Sequence, residues 1–247
     1  MSINYQDTLP DPSNPIGTAG QNTGTNGPGY KGVALSSKSK TMKSTTNSGR
    51  MVRRSNGLHS WDISISYNPM TREEFEPINA FLMHKRGSFD SFFVSLPQHK
   101  EPQNAGFLAH LNASNVIRVY HPGNGGVLAA GRTSLSADGM PSTASHAPEP
   151  GDMFTITDPS DARHTKAYKV TQVETSTAGA FAGSSAPSSD QRIIHFVPAL
   201  VKSVTNDSVI KFLDPKIKVV LSSDVQEHSL DADGLYSFSL KLEESQS

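Results

Sequence analysis

Two segments at opposite ends of the chain alternate strictly between apolar and polar residues. Trp61, Ile63, Ile65 and Tyr67 interleave with Asp62, Ser64 and Ser66, and Tyr236, Phe238, Leu240 and Leu242 interleave with Ser237, Ser239 and Lys241. Period-two alternation marks a strand with one face in a core and the other in water. Each such strand needs an apolar layer to cover it, and the residues between them have a different texture. The economical arrangement is a discontinuous β core domain completed by both ends, residues 33–97 and 204–247, with residues 98–203 inserted between Leu96 and Val204.

Within the first part of that core, Asn47-Ser48-Gly49 and Ser55-Asn56-Gly57 read as turns, because Asn and Gly accept the positive φ that tight hairpins demand. An antiparallel hairpin or meander ending at Asn68-Pro69 follows. Thr71 and Glu74 have the spacing of a capping box, Glu73 adds a favourable charge to the first turn, and Lys85 and Arg86 close the segment before Gly87. Phe75, Ile78, Phe81 and Leu82 then share one helical face, while Pro77 predicts a kink or a tight first turn rather than a break. Phe92 belongs to an aromatic strand that Pro97 ends. Trp61, Phe75, Phe81 and Phe92 are the candidates for scaffold packing. After the insertion, clean strands return at Val209–Leu213 and Ile217–Leu221, and Asp233-Gly234 supplies the turn before the last strand.

The insertion shows short strand-like runs at Val116–Tyr120, Met153–Thr157, Ala167–Val173 and Arg192–Val197, separated by Gly/Ser/Ala/Pro loops; this is the pattern of a small β-barrel. The fold class is therefore mainly β: a β-sandwich-like core with one α-helix, plus an inserted OB-like barrel. Residues 1–32, rich in Gly, Asn, Thr and Pro with little to bury, read as a flexible N-terminal arm, disordered on its own, which either links and solvates or, in an assembly, orders against a neighbouring subunit. The loop from Ser176 to Asp190 is low in complexity and reads as mobile or engaged outside its domain.

Chemistry is hard to find. Cysteine is absent, which excludes disulfides, thiolate metal sites and thiol nucleophiles. His59, His84, His99, His110, His121, His146, His164, His195 and His228 form no pair at zinc-binding spacing, so no metal is expected. Asp231-Ala-Asp233-Gly resembles the start of a calcium loop but lacks the later ligands, and reads as a hairpin turn. No nucleophile elbow, phosphate loop or dinucleotide fingerprint is present; Gly123-Asn-Gly-Gly126 sits in a turn-like stretch. Asp152, Asp158 and Asp161 are the carboxylates that a glycosidase reading would use, although beside Gly and Pro they read as loop solvation. No catalytic, metal-binding or cofactor-binding residues are assigned, and the expectation is a non-enzyme without cofactors. No run approaches the length of a membrane span, and the N-terminus lacks the order of a signal peptide, so cytosolic synthesis without membrane insertion is expected.

Net charge is −1, yet the basic residues are not spread evenly. Residues 32–60 carry Lys38, Lys40, Lys43, Arg50, Arg53 and Arg54 and no carboxylate. Three readings fit: solvated strand faces, phosphate contact, or pairing with acidic patches on neighbouring subunits. The stacking aromatics of a single-strand nucleic-acid platform are missing, since Tyr30 and Trp61 only flank the run. These six residues, with the N-terminal arm, are the candidates for intersubunit contacts.

The run Ser48 to Pro97, in which a Trp-bearing strand leads into a capped helix and an aromatic strand, resembles the N-terminal core of the distal tail proteins of tailed bacteriophages. Pro150 to Thr157, with Lys166 to Thr171 and Phe196 to Leu200, is similar to the inserted small barrel of members on long non-contractile tails. The resemblance implies a homo-oligomeric, hexameric ring at the distal end of the tail tube, with OB-fold insertions facing outward. The partners it implies are other copies of the chain, the tail tube protein, tail tip, hub or baseplate proteins, and tail fibres, with DNA passing through the lumen. The protein would reside in the virion tail, assembled in the host cytoplasm. The long N-terminus departs from the family pattern and leaves open a contractile-tail baseplate component; a host-surface carbohydrate-binding module is the other alternative.

Overall fold

The computed structural model describes residues 7–16, 24–121, 126–174, 190–225 and 227–245. The chain is mainly β and contains a closed six-stranded barrel. It divides into two compact units: the first runs to Ser95 and resumes at Ile217, and the second is Leu96–Lys216.

The first unit holds β1 (Pro15–Ile16), β2 (Thr25–Asn26), β3 (Tyr30–Thr45), β4 (Met51–Tyr67), α1 (Arg72–His84) and β5 (Phe92–Val94). The second holds α2 (Ala105–Asn112), β6 (Ile117–Val119), β7 (Val127–Leu128), β8 (Ser134–Asp138), β9 (Met153–Thr157), β10 (Ala167–Glu174), β11 (Arg192–Val197), β12 (Val204–Thr205) and β13 (Val209–Lys211). The chain then returns to the first unit with β14 (Ile217–Leu221), β15 (His228–Leu230) and β16 (Tyr236–Glu244).

In the first unit the sheet order is β3-β4-β16-β14-β5, with β15 paired to β16. The two alternating segments are neighbours: Ile65 lies opposite Leu240 and Ile63 opposite Leu242. Their apolar residues fill one face, which α1 covers with Phe75, Ile78, Phe81 and Leu82. Phe75 stacks on Tyr236 at 4.6 Å, and Phe81 meets Phe92 edge-on at 5.4 Å. Helix α1 starts where the capping box places it, with the Thr71 backbone N–H and hydroxyl both donating to Glu74 Oε2 at 3.0 and 3.1 Å. It continues through Pro77 as one element. Strands β5 and β14 pair directly, Val94 opposite Ile217, so the whole second unit replaces the connection between two adjacent strands.

Three expectations need correction. The return to the core comes at Ile217 and not at 204, because β13 pairs with both β6 and β9 and closes the barrel. The arm is not loose throughout. Leu9 is fully buried, its N–H bonds Phe93 O, and Thr8 bridges Phe93 in parallel, so residues 7–9 cover the outer edge of β5. Asp11 then ties the following turn through Ser13 N, Asn14 N and Asn14 Nδ2. Of the proposed arm, residues 1–6 and 17–23 lie outside the described residues. Finally, Ser55-Asn56-Gly57 is no second turn. Gly57 has φ 69° inside β4, where the register with β3 shifts between Ser39 and Thr41.

The second unit closes in the order β10-β11-β8-β6-β13-β9, one strand more than the five of an OB-fold. Phe107, Phe154, Tyr168, Phe196 and Phe212 fill its core. Helix α2 escapes the sequence reading because it spans barely two turns; Asn104 caps it by accepting from Phe107 N. The Ser176 to Asp190 loop falls, apart from Asp190, outside the described residues, as does 123–125 of the glycine-rich stretch.

Phe75 is buried and meets three aromatic rings of β15 and β16. Phe75→Ala is expected to cost about 3–5 kcal/mol, read as a lower urea midpoint. His164 and His99 are both held below the ordinary imidazole range, in each case first by burial; Asp158 and Asp161 oppose the shift at His164 while Lys202 adds to it, and at His99 Lys169 adds while Asp152 opposes. A depressed histidine is protonated in the unfolded chain first, so its contribution is full above about pH 6.5 and is lost as pH falls through the folded pKa. The melting temperature followed by circular dichroism should therefore drop between about pH 7.5 and about pH 5.5, and drop less in the His99→Gln/His164→Gln double variant.

Candidate functional site

The register of β4 with β16 stops at Asp62, whereas β3 and β4 stay paired to Thr45 and Met51. The outer part of this hairpin is a two-stranded ribbon on the order of 35 Å long at ordinary strand rise. Residues 36–54 are exposed on both of its faces. Its tip is well made. Thr46 N donates to Arg50 O at 2.9 Å, Gly49 N donates to Thr46 O at 2.9 Å, and Gly49 takes φ 79° as the turn requires. The sequence reading of Asn47-Ser48-Gly49 thus marks the one tight turn of the ribbon.

All six basic candidates lie on this ribbon. Lys38 is engaged at its base with Asp62, and that hydrogen bond raises its pKa. Among the described residues, Lys40, Lys43, Arg50, Arg53 and Arg54 make no ion pair with a carboxylate; Arg53 Nε only reaches Met51 Sδ at 3.3 Å. The register sets Lys43 directly opposite Arg53, and Met42 opposite Arg54. Opposed like charges weaken a strand pair, and a lone two-stranded hairpin is marginal in water in any case. Met42 is 60% exposed, Leu58 54%, Met51 53% and Val52 50%. The ribbon therefore offers cations and large apolar side chains together, on a frame its own charges destabilise. Strand β3 is also the end strand of the sheet order, so its outer edge faces no other strand of that sheet.

The packing candidates sit elsewhere. Trp61, Phe75, Phe81 and Phe92 are all buried in the first unit, and Trp61 N donates to the buried Glu244 carboxylate at 3.1 Å. Glu244 was missed from sequence because an acidic residue at the end of an alternating strand gives no sign of facing inward; only its even spacing from Leu242 and Leu240 hints at it.

The carboxylates considered for glycosidic chemistry are held by local donors. Asp152 accepts from Gln103 N and Glu149 N. Asp158 accepts from Ser160 N, Thr205 N and Thr205 Oγ1; burial pushes its pKa up, but these hydrogen bonds outweigh burial and leave it lowered. Asp161 accepts from Arg163 N and pairs with Lys202 at 3.4 Å. Asp231 accepts from Asp233 N and Leu235 N, closing the turn between β15 and β16. Among the described residues no group of three or more His, Asp or Glu side chains is placed to hold a metal ion. The chain matches no protein-family model, and no curated protein sequence matches it.

Placing a carboxylate opposite Arg53 replaces repulsion with attraction. Lys43→Glu is expected to stabilise the free ribbon by roughly 0.2–1 kcal/mol, seen as slower amide hydrogen exchange across residues 41–53 at low protein concentration.

Proposed function

We propose that this protein is a structural subunit of a bacteriophage virion, forming a ring at the distal end of the tail tube. In this reading the first unit builds the ring, other copies of the chain are its lateral partners, and the tail tube protein and the tail tip, hub or baseplate proteins bind above and below. Tail fibres attach at its periphery, and DNA crosses the lumen only in transit. The work is geometric: a contact repeated by rotation closes a ring in place of a filament.

The observation that carries the proposal is the basic ribbon of β3 and β4. It is exposed on both faces, opposes like charges and displays large apolar side chains, which is a poor arrangement for a free monomer and a useful one for an assembled subunit. The resemblance of residues 48–97 to phage distal tail proteins supports the same reading. So does the barrel: its Phe107, Phe154, Tyr168, Phe196 and Phe212 point into its own core, leaving few rings at the surface among the described residues for the stacking that sugar recognition uses.

Mass photometry of the purified chain, with negative-stain images of the same sample, is expected to show closed rings of about six copies. A persistent monomer at high micromolar concentration overturns the proposal.

A further inference from the structure

The basic ribbon has a counterpart at the other end of the same unit. From Ser222 to Leu240 the chain carries Asp224, Glu227, Asp231 and Asp233 and neither Lys nor Arg. This mirrors residues 32–60, which carry cations and no acid. Asp224 is committed to Ser88, whose N–H and hydroxyl donate to it at 2.9 and 2.6 Å, and Asp231 closes its own turn. Glu227 and Asp233 are exposed, and beside them Val225 is 67% and Leu230 59% exposed. The acidic end thus repeats the mixture seen on the ribbon, with the sign of charge reversed.

Strand register fixes where the two patches lie. From the ribbon tip, β4 runs to Tyr67, Ser66 pairs with Ser239, and Met70 bridges Tyr236, so the β15–β16 turn sits beyond the end of β4 opposite to Arg53. The separation along the sheet is on the order of 40 Å, well beyond a Debye length of about 8 Å. One copy cannot satisfy its own ribbon with its own acidic turn.

We infer that the ribbon of one copy docks on the Ser222–Leu240 end of the next, pairing Lys43 and Arg53 with Glu227 and Asp233 while Met51, on the same ribbon face, covers Val225 and Leu230. Two different patches at opposite ends make a heterologous contact, the kind that closes a ring when its rotation permits. The inference rests on the self-assembly proposed above and names the surfaces that carry it. A nucleic-acid partner fits less well, because phosphates leave the four exposed apolar side chains of the ribbon uncovered and no aromatic ring is interleaved with its cations.

The test is a charge swap in the full chain. Lys43→Glu/Arg53→Glu, which keeps like charges opposed, and Glu227→Lys/Asp233→Lys change only exposed positions, and circular dichroism melts should match the unaltered protein. Each variant alone is expected to assemble at least about tenfold more weakly by mass photometry, and an equimolar mixture of the two is expected to regain assembly, since every altered ribbon then meets an altered turn. If the unaltered protein forms rings and neither variant weakens them, the interface is wrong while the ring proposal stands. If the unaltered protein stays monomeric, both fall. If the ribbon variant assembles normally but loses binding to a fluorescent duplex oligonucleotide, the ribbon is a nucleic-acid surface and the inference is overturned.

Discussion

The pairing of β4 with β16 is the interaction on which the first unit depends. It joins residues from the two ends of the chain, and its inward side chains, Trp61, Ile63, Ile65 and Tyr67 with Phe238, Leu240 and Leu242, are the floor on which α1 packs. Closing so long a loop costs chain entropy that grows only slowly with its length. That slow growth lets a complete barrel occupy the connection between β5 and β14. The adjacency of Val94 and Ile217 keeps both ends of the insertion at one place in the sheet, so the core strands keep their register.

At the far end of the same strand the logic reverses. Up to Asp62, β4 is flanked on both sides and alternates apolar with polar residues; past it, β4 has only β3, and the two strands together carry mostly Ser, Thr, Lys and Arg. A sheet strand that runs on into water loses the burial that offsets its conformational entropy. Lys43 opposite Arg53 then adds repulsion where cross-strand attraction would be the simple remedy. Lysines along an edge also discourage indiscriminate strand pairing. In the assembly proposed above, the same residues that make the ribbon poor company for itself would favour a partner surface of opposite charge.

The second unit solves a different problem. Asp158 and His164 are spent on holding loops: Asp158 accepts from Thr205 and Ser160, and His164 meets the Tyr168 hydroxyl at 3.0 Å, which in turn receives Val201 N at 3.3 Å. Hydrogen-bonded polar groups in a barrel rim offset the cost of burying them.

Much of this was legible in the residues themselves. Strict alternation identified β4 and β16, and capping chemistry placed the start of α1 at Thr71, because both are written in side chains a few positions apart. The six cations of the candidate surface were visible as a run without acids. What needed the tertiary structure was everything set by distant contact. Val209 to Lys211 alternates as well for one sheet as for another, and only its pairing with β6 and β9 assigns it to the barrel. Leu9 is a lone apolar residue in a polar tract until Phe93 gives it a place to be buried. The sequence alone shows that Lys43 and Arg53 share a charge; that they face each other across a ribbon, with the acidic turn at the opposite end of the sheet, follows from strand register, which pairs residues by position in space and leaves no local trace.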